Sequence, residues 1–291
     1  MPELPEVETV RAGLARLLPG RSVSAVQLFD SPKSFPNDAQ AVETQLIGAV
    51  VTGVERRGKV LLLGLSTQYS LMIHLKMTGQ LVFVAGNERF GAGHPSDSLV
   101  HDLPDASTRV CLQFADGSAL FFNDQRKFGW VRLLPTPAVE EDPFIQRLGP
   151  EPLDASFTAS VLAQRLRRRA KTNIKAALLD QSVLAGVGNI YADESLWGAQ
   201  VHPLRIVGSL SSDEITRLHT ALVEVLHLSI TQGGSSNHTY VDAEGRKGSY
   251  MRFANVFRRE GQACPRCGHI IEKMRVAGRG THICEHCQKI I

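Results

Sequence analysis

Four cysteines near the end of the chain are spaced for metal chemistry. Cys264-Pro-Arg-Cys267 and Cys284-Glu-His-Cys287 form two CxxC pairs separated by sixteen residues. That spacing fits a zinc ribbon in which four thiolates close a tetrahedron around one structural ion. A hairpin this short has too small a core to fold alone, so the metal would supply folding free energy. Disulfide pairing is the alternative, and it is disfavoured because the acidic start of the chain has neither the basic region nor the apolar run of an export signal. His269, His282 and His286 lie among the cysteines, but four sulfurs leave them no vacancy at that ion. The fifth cysteine, Cys111, sits in an alternating strand pattern and reads as core.

The stretch VLAGVGNIYADESLWGA carries a second possibility. Gly186 and Gly188 permit a tight turn and Asn189 stands where a helix begins, so backbone N–H groups and an amide could grip a phosphate there. An ordinary pair of helix caps accounts for the same residues equally well. Charge adds a hint about the partner. The net charge is only +3, yet residues 252–291 hold eight Arg or Lys against three Glu, a local +5. A second run, RLRRRAKTNIK, carries Arg165, Arg167, Arg168, Arg169, Lys171 and Lys175 with no acid. Two concentrated basic patches on a nearly neutral chain suggest a polyanion, although the arginine run by itself also fits a solvated helix face.

These residues need elements to hold them. Val7, Val10, Leu14 and Leu17 lie on one stripe, with Pro5 and Glu6 suited to a first turn, which predicts an amphipathic helix over residues 4–18. VVTGVERRGKVLLLGL, YSLMIHLKMTGQLVFV and RVCLQFADGSALFFND then read as strands, the last with a hairpin at Asp116-Gly117. With no helix pattern between them, the strands predict an antiparallel sandwich or barrel. Residues 85–107 are rich in Gly, Pro, Ser and Asp and predict a long loop, and prolines 135, 137, 143, 150 and 152 mark a linker. Helical patterns follow over 156–170, 172–181, 189–199 and 211–232. The expected organisation is a sandwich domain over 1–134, a linker over 135–152, a helical domain over 153–250 and a zinc finger over 251–291. With no run of eighteen apolar residues, the chain is expected to be cytoplasmic and to avoid membranes.

Seven separated segments resemble the bacterial formamidopyrimidine-DNA glycosylase family, which shares its fold with the endonuclease VIII family. They are MPELPEVE, RRGK at 56–59, IHLKMTG at 73–79, NDQRKFG at 123–129, IKAALLDQSVLAGVGNIYADE at 174–194, GGSS at 233–236 and the GRGTHICEHCQK ending. The resemblance implies an α+β multidomain protein: an N-terminal antiparallel β-sandwich, a C-terminal helical domain with a helix-two-turn-helix around Gly188 and Asn189, and a four-cysteine zinc finger. It also implies duplex DNA with oxidised bases or abasic sites as partner, bound between the halves by a monomeric bacterial enzyme of base excision repair.

The site roles follow from the resemblance. Removal of Met1 would leave Pro2 with a free secondary amine, and a terminal amine titrates near ~8, so a useful fraction is nucleophilic at cellular pH. Pro2 is expected to attack the sugar, Glu3 to shuttle protons, Lys59 to be the catalytic lysine, and Arg279 to grip phosphates and assist the second elimination. Met77, Arg126 and Phe128 match the residues that fill the gap left by the flipped base. They favour oxidised purines over the pyrimidine lesions of the endonuclease VIII branch, as does GGSS followed by Tyr240. A DNA-binding protein without catalysis would be a third reading, and the retention of Pro2, Glu3 and Lys59 argues against it. His74, Lys171, Lys175 and Asn189 are expected DNA contacts. Relatives commonly carry a phosphate-contacting His where this chain has Ser107, and either Arg109 is the substitute or the contact is missing. Ala170 stands where many relatives have a lysine.

Overall fold

The stripe on residues 4–18 requires an apolar surface to lie on, and the computed structural model, which describes residues 2–29, 32–94, 96–235 and 249–290, supplies it. Helix α1 spans Leu4–Leu17 with Pro5 in its first turn, and Val7, Val10 and Leu14 are at most 1% exposed. Strands β1 (Val23–Leu28), β2 (Val51–Arg57), β3 (Val60–Leu65), β4 (Tyr69–His74), β5 (Gly79–Ala85), β6 (Glu88–Gly93), β7 (Thr108–Phe114), β8 (Ala119–Asp124) and β9 (Trp130–Pro135) follow, with the short helix α2 (Ala39–Gln45) between β1 and β2. They form two antiparallel sheets, ordered β1-β7-β8-β5-β6 and β2-β3-β4-β9. Leu61, Leu63, Leu71 and Ile73 of the smaller sheet share one core with Leu81, Phe83, Leu112 and Phe122 of the larger and with α1. That is a sandwich, and burying this continuous apolar layer is its main source of stability.

The hairpin at Asp116-Gly117 forms between β7 and β8, with Gly117 at φ +85° and Asp116 Oδ1 accepting the Ser118 N–H at 3.0 Å. Residues 85–107 differ from expectation: they contain β6, paired with β5 from Gln80↔Gly93 to Ala85↔Glu88. The glycines that read as loop are there for close approach. A Cβ on Gly91 would meet Leu99 Cδ2 at 3.0 Å, and Gly93, at φ +127°, lies against the Gly79 carbonyl. Likewise the start of the proline-marked stretch is helical, as α3 (Thr136–Glu141) and α4 (Pro143–Gln146), because proline is tolerated in a first helical turn.

The chain divides into two compact units, Met1–Gln146 with Gln232–Ser249, and Arg147–Thr231 with Tyr250–Ile291. In the second unit α5 (Ala159–Arg167), α6 (Ile174–Leu179), α7 (Asn189–Ala199) and α8 (Ser212–Thr231) enclose a core that includes Leu162, Ile174, Leu178, Tyr191, Leu196, Leu218 and Leu222. Thr158 caps α5 and Asn173 caps α6, each side chain accepting a backbone N–H of the first turn. The strands β10 (Glu272–Val276) and β11 (Arg279–Ile283) close the unit as a hairpin whose turn residues, Ala277 and Gly278, both have positive φ, the requirement of a type I′ turn. No helix among the described residues is long and apolar enough to cross a membrane.

Candidate functional site

In the first unit the head of the chain is buried. Pro2 and Glu3 are both buried, and Leu4 is 0% exposed. Glu6 holds this segment: its Oε2 accepts the Glu3 N–H at 2.8 Å and its Oε1 accepts the Ser235 N–H at 2.8 Å. Gly234, at φ +87°, lies so close that a Cβ there would meet Glu6 Oε1 at 3.2 Å, so this part of GGSS needs glycine. Ser236 and Tyr240 lie outside the described residues. Lys59 follows Gly58 in the two-residue turn between β2 and β3, where Gly58 takes the left-handed φ of +57°. An ion pair and a hydrogen bond tie that turn to α1: Glu8 Oε2 accepts from Arg56 Nε at 2.8 Å, and Arg56 Nη1 donates to the Gly58 carbonyl at 2.9 Å. Lys59 is 6% exposed, a costly placement for an ammonium group.

His74 belongs to the same neighbourhood. Its ring packs edge-on against Phe144 and tilted against Trp130, and its Nδ1 accepts the Lys76 N–H at 2.9 Å. Burial, reinforced by the positive charges of Lys76 and Lys59, pushes its pKa down to about 3. It is therefore neutral, and it brings no positive charge to a phosphate. Arg109, the expected substitute for a phosphate contact, is corrected as well: it is 6% exposed, with Nε on the Asp124 carbonyl at 2.8 Å and Nη2 on the Ala106 carbonyl at 2.9 Å. Arg109 stands at an irregularity of β7, between Thr108 paired to Asn123 and Val110 paired to Phe122, and its guanidinium binds carbonyls where β7 meets β8. Ser107 is likewise buried and bonds the Asp105 carboxylate through its hydroxyl at 2.7 Å.

Arg126 and Phe128 occupy a projecting turn after β8. Asp124, 0% exposed, organises it: its carboxylate accepts the Thr78 hydroxyl, the Arg126 N–H at 3.2 Å and the Gly129 N–H at 2.6 Å. The four residues between Asp124 and Gly129 are all exposed, Phe128 at 54%, and the Arg126 guanidinium sits 4.8 Å from the Phe128 ring centre. A large aromatic held in water by a buried carboxylate is arranged for a partner, since burial alone would favour the reverse. Met77 is half-buried in the turn between β4 and β5, and Thr78 joins the two turns because the Arg126 N–H also bonds its hydroxyl at 3.1 Å.

In the second unit Lys171 is exposed, as are Arg167, Arg168 and Arg169, the last paired to Asp180 at 2.8 Å. Lys175 is not at the surface: IKAALL places it beside Ile174 and Leu178 on the inner face of α6, 0% exposed. Its ammonium group donates to Asp193 Oδ1 at 2.6 Å, to the Thr281 hydroxyl at 2.6 Å and to the Gly280 carbonyl at 3.2 Å, which corrects its reading as a DNA contact. Asn189, in the first turn of α7, donates to the same Gly280 carbonyl at 2.9 Å. Two helices thus pin the backbone next to Arg279, whose side chain is exposed at the start of β11. Glu194, 0% exposed, accepts the backbone N–H groups of Asn255, Val256 and Phe257 and so fixes the entry to the finger. Glu6, Glu8, Asp124, Asp193 and Glu194 carry these supports; the sequence marked Glu6 only as a first-turn residue, and of the others only the segments they sit in were conspicuous.

Cys264, Cys267, Cys284 and Cys287 place their sulfurs within 4.8 Å of one another, with Cys267–Cys284 at 3.4 Å and Cys264–Cys287 at 3.9 Å. These separations exclude S–S bonds and bracket the ~3.8 Å edge of a tetrahedron with Zn–S near 2.3 Å. The four cysteines can hold one structural zinc ion. Burial raises the Cys264 thiol pKa, but N–H donors from the Trp197 indole and the amides of Arg266 and Cys267 outweigh it and bring it to about 6.

Profiles of known families cover most of the chain: the formamidopyrimidine-DNA glycosylase N-terminal domain matches residues 1–131, the H2TH domain of the same enzymes 148–241, and a zinc finger found in FPG and IleRS 261–290. The formamidopyrimidine-DNA glycosylase of Herpetosiphon aurantiacus is 44% identical over 289 residues, 99% of this chain and 100% of that one. That of Desulforamulus reducens is 41% identical over 291 residues, 99% of each. Among solved structures, a point mutant of the Lactococcus lactis FPG in complex with a Fapy-dG containing DNA superposes with a TM-score of 0.87 at 33% identity, covering 99% of this chain and 100% of that chain. A MutM in complex with carbocyclic 8-oxo-G containing DNA gives 0.86 at 32% identity with the same coverage. With three profiles in order and relatives above 40% identical from end to end, the chain belongs to the formamidopyrimidine-DNA glycosylase family.

Proposed function

We propose that this chain is a bifunctional DNA glycosylase and abasic-site lyase that removes oxidised purines, 8-oxoguanine and formamidopyrimidines, from duplex DNA. The observation that carries the reading is the buried head of α1. Pro2 and Glu3 are buried and the Glu6 carboxylate fixes the Glu3 backbone beside Pro2, as a nucleophile requires and a terminal tail does not. Similarity to proteins solved on Fapy-dG and 8-oxo-G DNA supports the substrate class.

In this mechanism the neutral Pro2 amine, exposed by removal of Met1, attacks C1′ of the flipped nucleotide as the glycosidic bond breaks, and the damaged base leaves with its electron pair and takes up the proton that the proline nitrogen sheds. Glu3 delivers a proton to the departing ring oxygen, the sugar opens, and C1′ becomes an iminium carbon bonded to Pro2 nitrogen. That cation withdraws electrons, so the C2′ proton is lost and the 3′ phosphate leaves. A second elimination expels the 5′ phosphate, and water hydrolyses the iminium to free the proline. Lys59 adds positive charge beside this chemistry in the first unit. Arg279 grips phosphate in the second unit, where Lys171 and Asn189 are further contacts. Zinc, when bound, ties the two knuckles together and so holds the hairpin that carries Arg279. Met77, Arg126 and Phe128 occupy the space the base vacates. The enzyme acts as a monomer on cytoplasmic, nucleoid-associated DNA.

The test is borohydride trapping on duplexes bearing 8-oxoguanine or an oxidised pyrimidine opposite cytosine, with intact mass measured on the same preparation. A mature chain lacking Met1, with a reduced adduct on Pro2 formed faster on 8-oxoguanine, is expected. An active preparation that retains Met1, or an adduct mapped to Lys59 in Pro2→Gly, overturns the mechanism. Faster trapping on the pyrimidine lesion overturns the substrate assignment.

A further inference from the structure

The folded finger sorts its three histidines into two kinds. His282 is 3% exposed and set between two carboxylates, with Nδ1 at 3.2 Å from Asp193 Oδ2 and Nε2 at 3.2 Å from Glu260 Oε2. His269 and His286 are exposed, and neither imidazole makes a hydrogen bond or ion pair among the described residues. They come from different knuckles: His269 follows Cys267 and Gly268, whereas His286 lies between Cys284 and Cys287. The fold nevertheless brings them ring to ring, with centroids 4.1 Å apart and planes 13° from parallel. Their nitrogens and the Cys267 sulfur all lie within 4.8 Å of one another.

We infer that His269, His286 and the Cys267 thiolate form an accessory site for a second borderline-soft divalent cation beside the structural zinc. Two imidazoles and one thiolate are the donor set of zinc, cobalt and cadmium, not of magnesium or calcium. Four thiolates around one zinc carry a formal charge of about −2, and each metal-bound sulfur keeps lone pairs, so Cys267 can bridge two ions. Bringing ligand atoms from within 4.8 Å to the ~3.4–3.6 Å edge of a mixed N and S tetrahedron requires the two rings to turn out of their stack so that their in-plane nitrogen lone pairs converge, a change of side-chain rotamer that exposed imidazoles can make. The nearest basic side chain in sequence, Arg266, is committed elsewhere: its guanidinium lies 4.0 Å from the Trp197 ring centre and Nη1 bonds the Trp197 carbonyl at 2.9 Å. Water completes the fourth position, since these three residues leave it open.

The experiment uses the full-length protein loaded with one zinc per chain and titrates it with Co²⁺, read by visible absorption and by metal content after desalting. Wild type is expected to take up a second equivalent, to show thiolate-to-cobalt absorption, and to ignore millimolar Mg²⁺ as competitor. His269→Ala/His286→Ala should lose the second equivalent and keep the first zinc, which also reports that the finger is folded. A stoichiometry of one in wild type overturns the inference. So does a second equivalent that persists undiminished in the double variant, or one that Mg²⁺ displaces.

Discussion

Replacing Lys175 by methionine separates two roles that a lysine in a basic run could play. The side chain is 0% exposed, as is its partner Asp193, and the ammonium group makes contacts at 2.6, 2.6 and 3.2 Å. Methionine fills a similar volume but leaves the Asp193 carboxylate buried, with only the His282 amide and ring as donors. Removing one member of a buried pair costs about 3–5 kcal/mol because the remaining charge keeps its desolvation penalty. For a cooperative unit of this size that loss lowers the transition temperature by roughly 10–20 °C. Calorimetry on the zinc-loaded chain should therefore show the second unit melting earlier in Lys175→Met while the sandwich transition stays in place. Adding Asp193→Asn should restore part of the loss, since the orphaned charge disappears while an acceptor for His282 remains. Lys171→Met is the counterpart. It should leave stability within about 0.5 kcal/mol of wild type but flatten the dependence of DNA binding on salt by about one unit of slope, because an exposed lysine acts through counterion release. A Lys175→Met protein with an unchanged melting profile and a flattened salt slope would refute this assignment.

Two further expectations concern the first unit. Arg126 offers several N–H donors and no acceptor, which suits the acceptor edge of cytosine and opposes the amino group of adenine. Excision of 8-oxoguanine should be faster opposite cytosine than opposite adenine by roughly five- to a hundred-and-fifty-fold, as about 1–3 kcal/mol implies, and Arg126→Ala should abolish most of that ratio in single-turnover rates whereas Phe128→Ala slows both. His74 gives a pH signature. Its pKa falls from 6.5 unfolded to about 3 folded, so the unfolded state binds the proton first on acidification. The stability it supports is complete above pH 6.5 and is lost toward pH 3, at up to ~1.4 kcal/mol per pH unit. Chemical denaturation of the first unit at pH 6 and pH 4.5 should show a steeper loss in wild type than in His74→Gln, and equal losses would mean the ring is not the titrating group.

Much of this protein was legible wherever the signal is local. The Asp116-Gly117 turn, the Gly186 to Asn189 helix start and the two CxxC knuckles are each settled within a few bonds, by φ angles only glycine adopts freely or by how far apart thiolates can reach one metal. The periodic stripe of α1 was equally plain, because an apolar face on a helix has to be buried somewhere. Tertiary structure alone decided which way each cation faces. Nothing in RLRRRAKTNIK distinguishes Lys171 from Lys175, yet one meets water and the other meets Asp193, eighteen residues away, and Thr281, 106 residues away. Arg109 is buried on carbonyls, and β6 forms out of glycines that read as loop, because each depends on backbone that other segments supply: the Asp124 carbonyl for Arg109, and β5 for β6. His269 and His286 meet because two separate knuckles fold around one centre, so although both lie within the CxxC span their ring-to-ring pairing is a property of the packed chain.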